Sequence, residues 1–437
     1  MKIPHIHTQI SRRNFLQVLG LATATTATSP NELYSSSSTV STVPRFDLRA
    51  THRVVPDGRS RKPVLFIWLG GGVSHIDSFC PLPGAPENIR GPFNSIPTRV
   101  PGLRISDQLP LMARRIHETA LLKNIYHTEP EHRLATNIAF TGSDSQNVER
   151  VPIYKPFTTR FDKYLSDNNL GRHMIFKTHY GNFYEAMGAY DSLIVYRNKN
   201  ENNTYRDPDR PYWSPFGEDV DIERLQGQTA LLGRLNSARN LRGPQFDRWD
   251  ELVRGAVSMS VGDLNKAFDL SRVEPRVRDR YPNTDFGNSA LIASRLIDVG
   301  AQFITLSDDR WDDHSEIERE LKVKLPELDR ILASLIDDLG DRAVIVVASE
   351  FGRLPRQTHT DGRAPGRNHW PFSNFMLVHG IGQKVIGELD NSGRIRGTAF
   401  DAKLLGPTIF KLAGYELVEE RSDRELTNYA MPYYPIV

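Results

Sequence analysis

Five predominantly apolar runs along the chain have the length of β-strands, and helix-like stretches precede two of them. The runs span residues 64–69, 119–125, 301–306, 343–348 and 374–378. Apolar runs of this length are typical of strands buried on both faces of a sheet. The helix-like stretches, 289–299 and 325–339, lead into the third and fourth runs. Strands that alternate with helices predict an α/β fold, a three-layer sandwich in which helices cover both faces of a largely parallel central sheet.

Histidine and carboxylate side chains stand next to all five runs. They follow the first four and precede the fifth, in the segments 74–77, 127–132, 308–314, 349–353 and 366–370. Open sheets of this class bind their ligands beyond the carboxyl ends of the strands. We therefore expect these segments to meet at one edge of the sheet and to form a single site in one large domain.

The residue types in these segments point to a metal centre. Imidazoles mixed with carboxylates suit Zn²⁺ or Mn²⁺ better than Ca²⁺. The predicted ligands of one or two divalent ions are His75, Asp77, Asp312, His314, Glu350 and His369, with His127 and Asp313 as accessory residues. Two ions ~3.5–4 Å apart would hold a phosphoryl or sulfuryl group between them. Arg353 and Arg367 are expected to clamp the remaining oxygens of that anion.

The N-terminal segment has the features of an export signal. Arg12 and Arg13 precede a mild apolar stretch, residues 18–27, that is rich in Ala and Thr. This arrangement resembles the twin-arginine signal, whose translocase carries folded proteins. The stretch is shorter than the ~20 residues of a membrane span, and no later segment has that length. We predict a signal peptide at 1–28, a linker at 29–60 and a periplasmic or extracellular location, with anchoring by an uncleaved signal as the alternative.

Composition and charge exclude several classes of protein. With 39% hydrophobic and 25% charged residues, the chain is neither collagen-like, nor a coiled coil, nor wholly disordered. The 55 basic and 53 acidic residues give a net charge of +2, so no global field favours nucleic acid. The single cysteine, Cys80, excludes a scaffold held by internal disulfides. We predict one domain at 61–437, in which residues 143–285 lack the strand pattern and form an insertion or cap.

Seven segments resemble the DUF1501 family, and they occur in the same order. They are GGGVSHIDSF (70–79), VPGLRISDQLPLMAR (100–114), AFDLSRVEPRVRDRY (267–281), FGNSALIASRLIDVGAQFITL (286–306), WDDH (311–314), SEFGR (349–353) and GRNHW (366–370). The resemblance runs from about residue 62 to residue 437. That family is sulfatase-like and belongs to the alkaline phosphatase superfamily. The resemblance therefore implies an alkaline phosphatase-like fold, a metal site at the carboxyl edge of the sheet and export by the twin-arginine route.

The resemblance also exposes departures from the superfamily's site. Sulfatases place an Asp pair directly after the first strand, where this chain has glycines. A later Asp-His or Asp-Asn pair corresponds here to Glu350-Phe351, so one ligand is missing. Asp312, His314 and His369 look like metal-binding residues of the superfamily. Cys80 lies in Cys-Pro-Leu-Pro rather than in Cys-x-Pro-x-Arg, so formylglycine is not expected there.

In this chain, a histidine stands at the position that corresponds to the sulfatase nucleophile. In sulfatases that residue begins a helix and lies nine residues before a Thr-Gly pair. This chain has Thr141-Gly142, and nine residues before Thr141 stands His132 at the start of a helix-compatible stretch. We predict that His132 faces the metal cluster, with His127 as a weaker companion. There His132 would bind the metal or the anion, act as general acid or base, or attack as a nucleophile.

Two functions follow from these expectations. The first is an exported, metal-dependent hydrolase of a sulfate or phosphate ester, either a small molecule or a glycan, that meets the twin-arginine translocase and no nucleic acid. The second is a non-catalytic descendant that binds an anionic glycan or a partner protein. The missing ligand and the absence of the usual nucleophile favour the second function, whereas the concentration of imidazoles at one predicted edge favours the first.

Overall fold

The computed structural model describes residues 52–142, 174–177, 193–196, 263–359, 362–420, 426–427 and 434–436, together with positions 227, 231 and 234. The predicted signal peptide at 1–28 lies outside the described residues, as does the predicted linker up to residue 51. No helix in the described ranges is long and apolar enough to cross a membrane.

The described part of the chain alternates between strands and helices. The strands are β1 (His52–Pro56), β2 (Val64–Leu69), β3 (Ser95–Pro97), β4 (Arg104–Ser106), β5 (Thr119–Tyr126), β6 (Met174–Lys177), β7 (Leu193–Tyr196), β8 (Phe303–Asp308), β9 (Val344–Ala348), β10 (Gly352–Arg353), β11 (His369–Trp370), β12 (Asn374–His379), β13 (Lys384–Ile386), β14 (Glu388–Leu389), β15 (Ile395–Arg396), β16 (Phe400–Asp401), β17 (Tyr415–Glu420) and β18 (Leu426–Thr427). The α-helices are α1 (Glu87–Arg90), α2 (Pro110–Arg115), α3 (His132–Thr141), α4 (Asp263–Phe268), α5 (Pro275–Arg278), α6 (Asp285–Asp298), α7 (Ile317–Leu339) and α8 (Leu405–Leu412).

A mixed sheet forms the middle layer, and within the described ranges it has nine strands. Its order is β13-β5-β12-β9-β2-β8-β6-β7, and β16 also pairs with β5. Every pair is parallel except those of β12, which runs antiparallel to β5 and β9. The predicted, largely parallel sheet is confirmed. Because β12 is reversed, the residues that precede it lie at the same edge as the residues that follow β2, β8 and β9.

Two apolar cores cover the two faces of this sheet. Along β2, Leu65 and Ile67 join the core under α6 and α7, whereas Phe66 and Trp68 join the core under α3 and α8. In the second core the Trp68 ring meets the ring of Phe140 edge-on, with 4.9 Å between centroids. Because successive strand residues point to opposite faces, an unbroken apolar strand serves both cores at once. The predicted three-layer sandwich is confirmed.

Two regions predicted to lie outside the sheet contribute strands. β6 and β7 come from the segment 143–285, predicted as an insertion or cap, and extend the central sheet beside β8. β1 lies in the predicted linker and pairs with β17 in a separate sheet. Strands of four residues are near the short limit for β-strands, so their apolar runs are hard to recognise in the sequence. The rest of the segment up to residue 262 lies almost wholly outside the described residues.

Candidate metal centre

Four side chains from three segments converge at the carboxyl edge of the sheet. His132 is the first residue of α3, Asp312 and His314 lie in the loop after β8, and His369 begins β11. One ligand atom from each of these residues lies within 4.8 Å of the others. β11 precedes the reversed strand β12, which is why His369 reaches the edge where the other segments end. We refer to these four residues as the His–Asp cluster.

The Asp312 carboxylate stands at the centre of the His–Asp cluster. Its Oδ1 atom lies 3.2 Å from His132 Nε2, 2.9 Å from His314 Nε2 and 3.3 Å from His369 Nε2. The Nε2 atoms of His314 and His369 are 2.9 Å apart. Four ligands bound tetrahedrally at ~2.0–2.1 Å are separated by roughly 3.3 Å, so the observed spacing fits one small divalent ion.

The outer nitrogen of each imidazole faces an oxygen atom. His132 Nδ1 lies 2.7 Å from Glu350 Oε1, His314 Nδ1 lies 3.0 Å from Asn368 Oδ1, and His369 Nδ1 lies 2.7 Å from the Pro130 carbonyl. Because these oxygens accept hydrogen bonds, Nδ1 carries the proton in each neutral ring. In that neutral form, which metal binding requires, the lone pair of each Nε2 atom points into the cluster, whereas a proton on Nε2 donates to Asp312. This arrangement is typical of histidines that bind a metal.

The charges around the His–Asp cluster favour a cation. Burial lowers the pKa of His132, but hydrogen bonds to Asp312 and Glu350, together with their charges, raise it to about 9. Burial raises the pKa of Asp312, but hydrogen bonds from the three imidazoles and the charge of Arg353 hold it far below its usual range. The two carboxylates, Asp312 and Glu350, therefore stabilise a positive charge on His132, and their negative charge would also favour a metal ion nearby.

Local structure at the start of α3 directs His132 into the cluster. The Glu131 carboxylate caps the helix by accepting from the backbone N–H groups of Arg133 and Leu134 at 3.1 and 2.8 Å. The helix ends at Gly142, whose φ of 70° is left-handed. The Phe351 ring lies beneath the imidazoles, with its centroid 4.8 Å from that of His132 and 4.7 Å from that of His369.

The glycines after β2 allow the loops to approach one another. A Cβ atom on Gly71 would lie 2.7 Å from the backbone nitrogen of Asp312, and Gly71 has a left-handed φ of 102°. Its N–H donates to Glu350 Oε1 at 2.7 Å. The backbone at Gly71, where sulfatases place an Asp pair, therefore packs against the Asp312 loop and holds the carboxylate that contacts His132.

Asp77 and Arg367 form a buried ion pair away from the His–Asp cluster. Arg367 donates Nε to Asp77 Oδ2 at 2.6 Å and Nη2 to Oδ1 at 3.0 Å, and both side chains are fully buried. Arg367 also donates to the carbonyls of Leu354, Pro355 and Ile89. The structure therefore pairs the predicted ligand Asp77 with the predicted anion clamp Arg367, and it brings neither side chain into the His–Asp cluster.

His75 and Arg353 are likewise buried beneath the cluster. His75 Nδ1 accepts from the Arg353 backbone N–H at 3.3 Å, and burial, aided by the charge of Arg367, lowers the pKa of His75 to about 3. Arg353 donates to the carbonyls of Gly72 and Arg367, and to Asp312. The structure therefore places His75 outside the cluster, and Arg353 contacts the cluster through Asp312.

The remaining predicted residues surround the cluster. Glu350 is buried and contacts it through His132. His127 Nε2 lies 2.6 Å from the Glu350 carbonyl, and its Nδ1 accepts from the Glu129 N–H at 3.2 Å. Asp313 pairs with the buried Lys324 at 2.5 Å. Cys80 is buried, which raises the pKa of its thiol to about 12.

Asn368 and Pro130, whose oxygens face Nδ1 of His314 and of His369, have little signal in the sequence. Asn368 directly precedes His369 in the sequence, which is the one signal that pointed to it. A backbone carbonyl such as that of Pro130 carries no sequence signal, because every residue has one.

Several solved structures resemble this chain at low sequence identity. The C-terminal periplasmic domain of EcEptC from Escherichia coli, in complex with Zn, is 11% identical over 83% of this chain and 85% of that one, with a TM-score of 0.39. The PsFucS1 sulfatase from Pseudoalteromonas sp. is 12% identical over 82% and 68%, with a TM-score of 0.37. A TAB5 alkaline phosphatase mutant with Mg bound is 11% identical over 82% and 100%, with a TM-score of 0.37.

Sequence comparison assigns a family without assigning a reaction. No curated protein matches the chain. The model of a family described as a protein of unknown function, DUF1501, matches residues 61–395, which include the whole His–Asp cluster and its supporting residues. The resemblance inferred from the seven sequence segments is confirmed, and the chain belongs to the DUF1501 family.

Proposed function

We propose that this protein is a metal-dependent hydrolase of sulfate or phosphate esters that acts at the His–Asp cluster. The observation that carries the proposal is the inward orientation of three Nε2 atoms around Asp312, with each Nδ1 atom held from outside. The four side chains are 15% (His132), 45% (Asp312), 41% (His314) and 23% (His369) exposed. A purely structural ion is normally enclosed by its ligands, whereas this exposure leaves room for a substrate.

Asp312, His314 and His369 are the proposed ligands, and their donor types favour Zn²⁺ or Mn²⁺ over Ca²⁺. When bound, such an ion supplies Lewis-acid polarisation of an ester oxygen. Arg353 fixes the Asp312 carboxylate, and Asn368 and Pro130 fix the two imidazoles. These supports keep the ligands in place before a substrate arrives.

His132 is the proposed proton-transfer group. Glu350 fixes its ring through Nδ1, so Nε2 is the atom that gives a proton to the leaving oxygen or takes one from the attacking group. The buried Glu350 carboxylate also stabilises the imidazolium form, which lowers the cost of holding the proton during the reaction. The family's sulfatase-like character supports a sulfuryl or phosphoryl centre, in a small molecule or a glycan, as the group attacked.

Elemental analysis of the purified full-length protein, paired with a screen of aryl sulfates and aryl phosphates, tests this proposal. We expect one or two equivalents of zinc or manganese and turnover of at least one ester class, which is lost after chelation and restored by the metal. Metal without turnover, together with binding of an anionic glycan, would establish the non-catalytic alternative. Absence of both metal and turnover refutes the proposal.

Two substitutions of His127 are expected to show how much each of its two hydrogen bonds contributes to turnover. His127→Gln keeps a donor for the Glu350 carbonyl, whereas His127→Asn keeps an acceptor for the Glu129 N–H. Since the Glu350 side chain holds His132, loss of the bond to the Glu350 carbonyl should disturb His132. We therefore expect His127→Asn to lower the turnover rate by about 10–100-fold, as is typical for residues that orient a metal site from outside it. His127→Gln should lower the rate less. Turnover of the best ester from the screen measures the difference. Equal losses in both variants would contradict the assigned role.

We also propose export by the twin-arginine translocase, on the basis of Arg12 and Arg13 before a mild apolar stretch. Changing both arginines to lysine is expected to leave the protein in the cytoplasm, because that translocase reads the arginine pair. Cell fractionation with immunodetection measures the distribution. Unchanged export of the double variant, or dependence on the translocon for unfolded chains, would exclude this route.

A further inference from the structure

A cavity of about 640 Å³ lies among α5, α6 and α7. Its volume is within the range of small-molecule sites. Arg330, on one wall, follows the first residue of α7 by thirteen residues, which places it roughly 20 Å along the helix from Ile317. Because His314 lies just before Ile317, this cavity is separate from the His–Asp cluster. Its lining includes Ser271, Val273, Arg278, Tyr281, Asn283 and Arg330.

Within the described ranges, the Arg278 guanidinium lacks the carboxylate partner that Arg272 and Arg280 have. Arg272 pairs with Asp269 at 2.8 Å, and Arg280 pairs with Asp338. The Arg278 side chain lines the cavity and is half-buried, and none of the described residues accepts a hydrogen bond from its guanidinium. A guanidinium without an acceptor presents a fork of donors that matches an oxyanion.

Other groups in the cavity add donors and positive charge. Arg330 donates Nη2 to the Asp279 carbonyl at 2.9 Å. Asn283 uses Oδ1 to accept from Asn288 at 3.4 Å, so its Nδ2 group is directed elsewhere as a donor. Of the charged side chains that line the cavity, two are arginines and one is a carboxylate, Asp279. The cavity therefore carries a net positive charge.

One wall of the cavity is apolar. Val273, Pro275 and the ring of Tyr281 form it, and the Tyr281 hydroxyl is turned away to donate to Asp338 at 2.7 Å. Apolar side chains beside clustered donors suit the carbon face of a sugar that carries an anionic group.

We propose that this cavity binds a sulfate or phosphate group, either as the free anion or carried on a sugar, with Arg278 and Arg330 as its charged contacts. The site does not depend on the proposed hydrolase activity, because no residue of the His–Asp cluster takes part in it.

Calorimetric titration of the full-length protein tests this site, with sodium sulfate, sodium phosphate and galactose 6-sulfate as probes at constant ionic strength. We expect saturable binding with a dissociation constant on the order of 1 mM, and at least about tenfold weaker binding in Arg278→Met, which removes charge-assisted hydrogen bonds. Arg272→Met is the matched control, because Arg272 is exposed, lies on the same segment and already has a partner. His314→Ala removes a residue of the His–Asp cluster and should leave this binding intact.

The outcomes show whether the cavity prefers a free anion or a sugar that carries one, and whether binding occurs in the cavity or at the His–Asp cluster. Tighter binding of galactose 6-sulfate than of sulfate assigns the site to a sugar, and equal binding assigns it to the free anion. No saturable binding, unchanged affinity in Arg278→Met, or loss of binding in His314→Ala overturns the proposal. If Arg278→Met does not fold, Arg330→Met replaces it, with the same expected loss.

Discussion

Replacing His314 with Ala is expected to remove the divalent ion from the purified protein. His314 Nε2 lies 2.9 Å from both Asp312 Oδ1 and His369 Nε2, so the substitution removes one of the proposed metal ligands. Loss of an outer support typically weakens metal binding by about 10–100-fold, and loss of a ligand should exceed about 100-fold. Elemental analysis and competition with a chelator measure the change.

Two further variants make the His314 result specific. Asn368→Ala removes the side-chain amide whose Oδ1 lies 3.0 Å from His314 Nδ1, and it should give an intermediate loss of metal affinity. His117→Ala removes a histidine just before β5, at the opposite edge of the sheet, and should leave metal binding unchanged. Wild-type metal content in His314→Ala, or an equal loss in all three variants, would contradict the assigned ligand set.

Replacing His132 with Ala is expected to lower ester hydrolysis by about 10²–10⁴-fold, the usual contribution of a general acid or base. The ion should remain, because Asp312, His314 and His369 are unchanged. The thermal midpoint should fall, because the buried Glu350 loses its charged partner, but the fold should persist, since Glu131 still caps α3 and Glu350 keeps hydrogen bonds from Gly71 and Ser349. Initial rates, metal content and a thermal melt on the same preparation measure all three quantities.

Glu350→Gln tests how much the Glu350 charge contributes to the role of His132. It preserves the shape of the side chain but removes the charge that stabilises a proton on His132, so we expect a smaller loss of rate with the metal retained. Full activity in His132→Ala would show that His132 is a scaffold residue and that water does the chemistry. Loss of the ion in that variant would instead make His132 a fourth ligand.

The sequence by itself determined the middle of the sheet and the residues at its edge. β2, β5, β8, β9 and β12 were predictable because a strand covered on both faces must be apolar throughout. The helix that begins at His132 was also predictable, from its composition and from the Thr-Gly pair at its end. The reversal of β12 within this largely parallel sheet was not predictable, because an apolar run does not reveal the direction in which its own strand runs.

Only the tertiary structure decided which polar side chains meet. His75 and Asp77 follow β2, and Arg367 stands two residues before His369, so the sequence predicts all three at the same sheet edge as the cluster residues. In the structure Asp77 and Arg367 turn inward and neutralise each other, because a buried charge without a partner is strongly destabilising. The three imidazoles of the cluster are oriented by Glu350, Asn368 and the Pro130 carbonyl. Their direction depends on contacts between segments far apart in the chain, which only the packed fold brings together.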